Sequence, residues 1–153
     1  MDSTAGCDRA APTLLVRRAV LAGEQYVAAL LREVPVDPPE MADLIRHHGV
    51  FVLADLTLPL SAPPVAAAAF RYHRPTATAQ VAGVGVLVTL RRRGPGCRLL
   101  SGALTLLRAE GFARVHACTA SDSAGAALLA SAGFAADGDA ARTDGRGRFM
   151  LVL

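Results

Sequence analysis

The sequence predicts an α/β fold in one domain, and three observations carry that prediction. Apolar runs of strand length occur at 50–56, 65–72, 78–90 and 112–120. Between the last two, Leu99, Leu100, Ala103, Leu104, Leu106 and Leu107 recur three or four residues apart, the stripe of a helix with one buried face. The chain has 153 residues, 52% of them hydrophobic, which is one domain with a substantial core and no need of disulfides or metals. Aromatics are only 5%, so Ala, Val and Leu must fill that core densely.

Residues 1–12 mix small, polar and charged types without an apolar h-region and read as a flexible tail, leaving 13–153 as the single domain. A strand is expected at 13–18 and a helix at 22–34, with Val27, Leu30, Leu31 and Val34 on one face and Pro35, Pro38 and Pro39 as its stop. A second short helix at 40–48 carries Met41, Leu44, Ile45 and His48 on one side, with Pro39 near its start and Gly49 at the C′ position. After the strand at 50–56, a proline-rich loop at 57–64 leads to the alanine-rich strand 65–72. A turn containing Pro75 then makes an antiparallel hairpin with the long strand 78–90. Gly83 and Gly85 in that strand predict a bulge or a close approach of another group.

Gly111 suits the C′ position of the central helix, and a strand follows at 112–120. Ser121 or Asp122 can cap a helix running to Ala132, which Gly133 closes before Phe134; 135–142 and 148–153 read as a closing hairpin. The apolar last strand could sit inside the sheet or pair across a homodimer.

Composition narrows the function classes. The chain has no lysine, so every basic residue is an arginine, and net charge is only +3. That surplus licenses no nucleic-acid claim, and the arginines lack interleaved aromatics or a second basic cluster. An arginine-driven nucleic-acid binder is therefore the remotest reading. No run is long and apolar enough to suggest a membrane span. Cys7, Cys97 and Cys118 are an odd count without C-x-x-C spacing, which argues against a disulfide framework or a metal site and suits a reducing cytoplasm.

The chemistry concentrates where the long strand ends in Arg91, Arg92 and Arg93, turns at Gly94-Pro95-Gly96, and enters the central helix. Such a loop aims backbone N–H groups and the positive end of a helix dipole at one point, where arginines add permanent charge; the ligand it suits is a phosphate. A P-loop would need Lys and then Ser or Thr where Cys97 and Arg98 stand, and a dinucleotide loop would need a third glycine at Leu99. What remains is R-x-x-G-x-G on Arg91, Gly94 and Gly96. This stretch resembles the pyrophosphate loop of the GCN5-related N-acetyltransferases (GNAT superfamily). The later segment D-x-x-G-x-x-L-L-x-x-x-G-F, from Asp122 to Phe134, resembles that family's N-x-x-A-x-x-L-Y-x-x-x-G-F.

The resemblance implies a GNAT-like α/β (α+β) fold. Its central mixed, mostly antiparallel sheet is flanked by helices on both faces and splays between the long strand and the strand after the central helix. It implies acetyl-CoA, or another acyl-CoA, as co-substrate. Backbone N–H groups from Arg92 and Arg93 through Gly94, Gly96, Cys97 and Arg98 would hold the pyrophosphate, with Arg91 opening the same cofactor-binding loop. Those of Val84, Gly85, Val86 and Leu87 would meet pantetheine and the thioester, with Asp122 and Leu129 beside the CoA arm. Pro95 has no N–H to offer. The implied activity is acyl transfer to a primary amine of a small molecule or a peptide, by direct attack in a ternary complex. The alternative is a catalytically silent acyl-CoA-binding module.

Transfer to an amine requires the ammonium to lose a proton before attack and the departing thiolate to be stabilised. The family's usual acid, a tyrosine, is Leu129 here, and its usual base positions match Gln80, Ala82 and Ala117. Substitutes are His116 and Thr119. Strand alternation counted from Ala117 sends His116 to the opposite face, where a structural role is expected, and leaves Thr119 on the Ala117 side. Cys97, beside a bound phosphate, is not expected to be a nucleophile. Glu33, Asp37, Glu40 and Asp43, with Asp137, Asp139 and Asp144, would make an acidic rim favouring a cationic acceptor, unless they are solvated acids balancing the arginines.

Overall fold

Four consecutive antiparallel strands make the first half of the sheet: β1 (Leu14–Arg18), β2 (Val50–Asp55), β3 (Ala66–His73) and β4 (Thr78–Val86). The computed structural model describes residues 14–32, 36–60, 62–90, 94–120, 124–136 and 146–153, so the expected tail at 1–12 lies outside them. β5 (Arg114–Ala120) runs parallel to β4, and β7 (Arg146–Val152) lies antiparallel between β5 and the two-residue β6 (Ala135–Ala136). The order β1-β2-β3-β4-β5-β7-β6 puts the last strand inside the sheet, the first of the two placements the sequence left open.

Among the described residues four α-helices cover the two faces. α1 (Glu24–Leu30) and α2 (Pro38–Arg46) pack on one, where Val27, Leu31, Met41 and Ile45 bury against Val50, Val52, Ala67 and Ala69. α3 (Pro95–Ala109) and α4 (Ala124–Ser131) pack on the other, joining Leu99, Leu100, Leu107 and Leu129 to Phe51, Phe70, Val115 and Phe149. Alternation along β3 sends Ala66 and Ala68 to one layer and Ala67 and Ala69 to the other, all four fully buried. Alanine there lets both helix layers approach the sheet closely. Gly102 does the same for α3: a Cβ on it would lie 2.4 Å from Val16 Cγ2.

Helix ends show what local chemistry decided. α2 starts at Pro38, earlier than expected, because Asp37 caps it by accepting the Glu40 N–H at 2.8 Å and prolines are tolerated in a first turn. It ends with Gly49 N–H donating to Leu44 O and His48 N–H to Ile45 O. The left-handed C′ residue is therefore His48 (φ 63), and not Gly49 as the sequence suggested. Gly49 is needed for a different reason, since a Cβ on it would sit 2.6 Å from Phe70 O. Gly111 and Gly133 do take the left-handed C′ position, each followed by a phenylalanine buried against the helix it closes. The α1 region is shorter than expected, a 3-10 turn at Leu21–Gly23 preceding the helix.

The long strand also departs from expectation. β4 stops at Val86, Leu87 N–H donates to Val65 O at 3.0 Å, and Val88–Leu90 form a 3-10 turn. Within β4 the register jumps from Ala69↔Gly83 to Phe70↔Val81, leaving Ala82 as an extra residue. One inserted residue reverses the alternation beyond it, so Val81, Val84 and Val86 all pack toward α3, while Ala82 packs against the α1/α2 layer.

Candidate functional site

The site begins where β4 and β5 separate. They pair at Thr78↔Arg114, Ala79↔Val115 and Gln80↔His116 and then part. β4 stays with β3 to Val86, and β5 stays with β7 to Ala120↔Arg146. A wedge opens between Val81–Val86 and Ala117–Ala120, as expected. Leu87 N–H points toward β3, so by antiparallel alternation Gly85 and Gly83 do too, while Val84 and Val86 turn their backbone groups to the wedge. Of the four strand residues expected to meet pantetheine, Val84 and Val86 thus turn their backbone to the wedge, and Gly85 and Leu87 to β3. Gly85 serves packing: a Cβ on it would lie 2.0 Å from Leu30 O.

On the α3/α4 face, the wedge meets the start of α3. Gly94, at φ 99, is the N-cap and Pro95 the first helical residue. The amides of Gly96 and Cys97 precede the first intrahelical bond, Arg98 N–H to Gly94 O at 3.0 Å. A Cβ on Gly96 would meet Val86 Cγ2 at 3.5 Å and Leu128 Cδ1 at 3.6 Å, ordinary contacts that mark where β4, α3 and α4 converge. Leu128, not the expected Leu129, faces this point; Leu129 is 5% exposed in the core. Arg91, Arg92, Arg93 and Asp122 lie outside the described residues. Cys97 is disulfide-bonded, whereas Cys118 is in no disulfide. An odd cysteine count requires one free thiol but does not exclude a bond, so the sequence argument against a disulfide overreached.

The opposite face holds a cleft of about 380 Å³. Register places its floor. Arg71↔Gln80, Gln80↔His116 and Cys118↔Arg148 are cross-strand partners, so these side chains share one face of the sheet, with Thr78 and His73 at one end. His116 therefore lies on the Gln80 side and lines the cleft. Ala117, 3% exposed, is packed under α3 and α4, and Thr119 shares its side by alternation. The sequence reading took the Ala117 side as the reacting one and gave His116 a satisfied structural role. Instead His116 Nδ1 is buried with no hydrogen-bond partner among the described residues.

The charged groups nearby are ordered by their partners. Arg71 donates from Nε and Nη2 to Glu40 Oε1 at 3.0 and 2.6 Å. Tyr72 donates to His48 O at 2.6 Å, and burial first, then the Glu110 carboxylate, raises its phenol to about 12. Asp37 is occupied by its cap, and Asp43 pairs with Arg46 at 3.2 Å. The described part of the expected acidic rim is therefore spent within α2 or on Arg71. Glu33, Asp137, Asp139 and Asp144 lie outside the described residues. Cys118 and Arg148 were missed from sequence, although polar residues alternate at Arg114, His116 and Cys118 and again at Arg146 and Arg148, a pattern that marks a polar sheet face.

No protein-family model matches the sequence, and no curated protein matches it. Solved structures do match. An N-acetylglutamate synthase from Neisseria gonorrhoeae, complexed with coenzyme A and N-acetyl-glutamate, superposes with a TM-score of 0.72 at 17% identity. The match covers 94% of this chain and 36% of that one, so the chain spans about a third of that protein's length. Ard1 from Thermoplasma volcanium gives 0.72 at 15% identity over 92% of this chain and 98% of the other. The ribosomal-protein-S18-alanine N-acetyltransferase from Escherichia coli gives 0.63 at 19% over 92% of each. With its splayed sheet, bulged fourth strand and helix start at the wedge, the chain has the fold of the GCN5-related N-acetyltransferases.

Proposed function

We propose that the protein is an acetyl-CoA-dependent N-acyltransferase acting on a primary amine. The observation that carries this reading is the wedge between β4 and β5, open to the start of α3 on one face and to a histidine-lined cleft on the other. The amides of Gly96 and Cys97, with Arg98, suit the pyrophosphate, and the backbone of Val84 and Val86 suits the pantetheine amides. The synthase from Neisseria gonorrhoeae, which has this fold, was solved with coenzyme A. The thioester then lies in the wedge and the amine approaches from the cleft.

His116 is the group we assign as base. Its ring lines the cleft while its buried Nδ1 has no hydrogen-bond partner among the described residues, and imidazole is the side chain suited to taking a proton near neutral pH. Gln80, its cross-strand neighbour, can orient the amine. The amine gives a proton to His116, its lone pair attacks the thioester carbonyl, the C–N bond forms and the C–S bond breaks. The new amide nitrogen sheds its second proton to the leaving thiolate, so the step balances without a covalent enzyme intermediate. Holding both reactants in one complex does most of the work when acid groups are scarce.

The test is calorimetric titration with acetyl-CoA of the wild type and of Gly96→Ala, a substitution the fold has room for. Tight binding that Gly96→Ala weakens at least tenfold while the thermal midpoint stays put supports the reading; no binding by the folded wild type overturns it. A second reading, a silent acyl-CoA-binding module, is favoured by the burial of Leu129 and Ala117 in the core. Release of CoA thiol that depends on an amine, and is lost in His116→Ala, separates the two.

A further inference from the structure

Resting on the transferase reading, we propose that the acceptor amine also carries a carboxylate, anchored by Arg148 in the cleft on the α1/α2 face. Among the described residues the lining of that cleft includes two guanidinium groups, Arg71 and Arg148, two imidazoles, His73 and His116, and no carboxylate. Arg71 is committed to Glu40 through two donors, which leaves its pair near neutral. Arg148 is exposed and in no ion pair among the described residues, and its fork of donors matches a carboxylate in two parallel hydrogen bonds.

Spacing fits a small amino acid. Arg148 is the cross-strand partner of Cys118, two residues along β5 from His116. Two residues of strand and one strand spacing put the His116 and Arg148 backbones about 8 Å apart on the same face. A base at one end and a carboxylate anchor at the other span an α-amino acid, with the long arginine side chain closing the remaining distance. The field of the cleft works in the same direction. A cationic lining repels an ammonium and favours the neutral amine that must attack, so an acceptor offering only an ammonium has nothing to hold it, whereas an amino acid is held by its other end. Among the described acids of α2, Asp37 caps its own helix and Asp43 pairs with Arg46, while Glu40 is matched by Arg71 at the cleft edge, so that pair adds little net charge.

The experiment is calorimetric binding of N-acetylalanine, N-acetylleucine and N-acetylglutamine, each against its matching α-amide, to the full chain with and without saturating CoA. These compounds have no amine to titrate, so any difference reports the carboxylate alone. At least one acid should bind tenfold or more tightly than its amide, and Arg148→Gln should abolish the difference. Arg46→Gln, whose guanidinium pairs with Asp43 outside the cleft, should keep it. No preference in any of the three pairs, or one that survives Arg148→Gln, overturns the proposal. The two readings fail separately. Acetyl-CoA binding with turnover of uncharged amines only would sink the carboxylate site and leave the transferase, while a carboxylate preference in a protein that binds no CoA would do the reverse.

Discussion

Replacing Gly85 by alanine tests how α1 is seated on β4. The added Cβ would lie 2.0 Å from Leu30 O and 2.7 Å from its carbonyl carbon, whereas carbon–oxygen contacts settle at about 3.3–3.6 Å. Backbone must therefore retreat by about 1 Å or more, since no rotamer change relieves a clash between main-chain atoms. The displaced turn carries Leu31, 1% exposed and packed with Val27 against the sheet, so the shift loosens contacts as well as straining them. Overpacking costs about 1–3 kcal/mol and partial loss of a buried leucine adds to it, while the entropy gained by replacing glycine returns about 0.4–1 kcal/mol. The net expectation is about 2–4 kcal/mol of lost stability, read from urea unfolding by circular dichroism with an unchanged slope. Gly96→Ala is the control and should lie within about 1 kcal/mol of wild type. If Gly85→Ala unfolds at the wild-type urea concentration, α1 does not lie on β4 as described and the packing argument is wrong.

Two further outcomes follow from single residues. His48→Gly removes a left-handed strain from a non-glycine C′ residue and should raise stability by about 1 kcal/mol in the same urea assay, with the Tyr72 bond to the residue 48 carbonyl intact. Tyr72 has its folded-state pKa raised to about 12 from 10.0, so the stabilisation it contributes is intact below pH 10 and lost as pH rises toward 12; the fall in thermal midpoint across that window should be shallower in Tyr72→Phe.

Local punctuation was legible in the sequence wherever one residue type had one physical reason to be there. Gly111-Phe112 and Gly133-Phe134 announced two helix ends because a left-handed residue followed by an apolar one leaves few alternatives. Gly49 misled because two causes favour glycine, and here the second applied: it makes room for the Phe70 carbonyl while His48 takes the turn. The strand–loop–helix at the wedge could be read because its spacing is local. The facing of His116 could not. It was inferred from a motif position, and only the register of β5 against β4 and β7 shows that Gln80, His116, Cys118 and Arg148 share a surface. The Arg71–Glu40 pair joins residues 31 apart and carries no local signature, which is why an acid now neutralised was expected on the rim.

The seam between β4 and β5 consists of three residue pairs, the fewest that join any full-length strands of the sheet. Mechanically it is a hinge, with β1 to β4 on one arm and β5 to β7 on the other. Backbone amides near it should exchange with solvent sooner than those of β2 and β3, whose side chains anchor both helix layers. A molecule wedged between the arms ties them together at their far ends, where the sheet itself makes no bond. Occupancy should thus slow exchange along β7, a strand outside the wedge, because closing the hinge restrains the whole second arm.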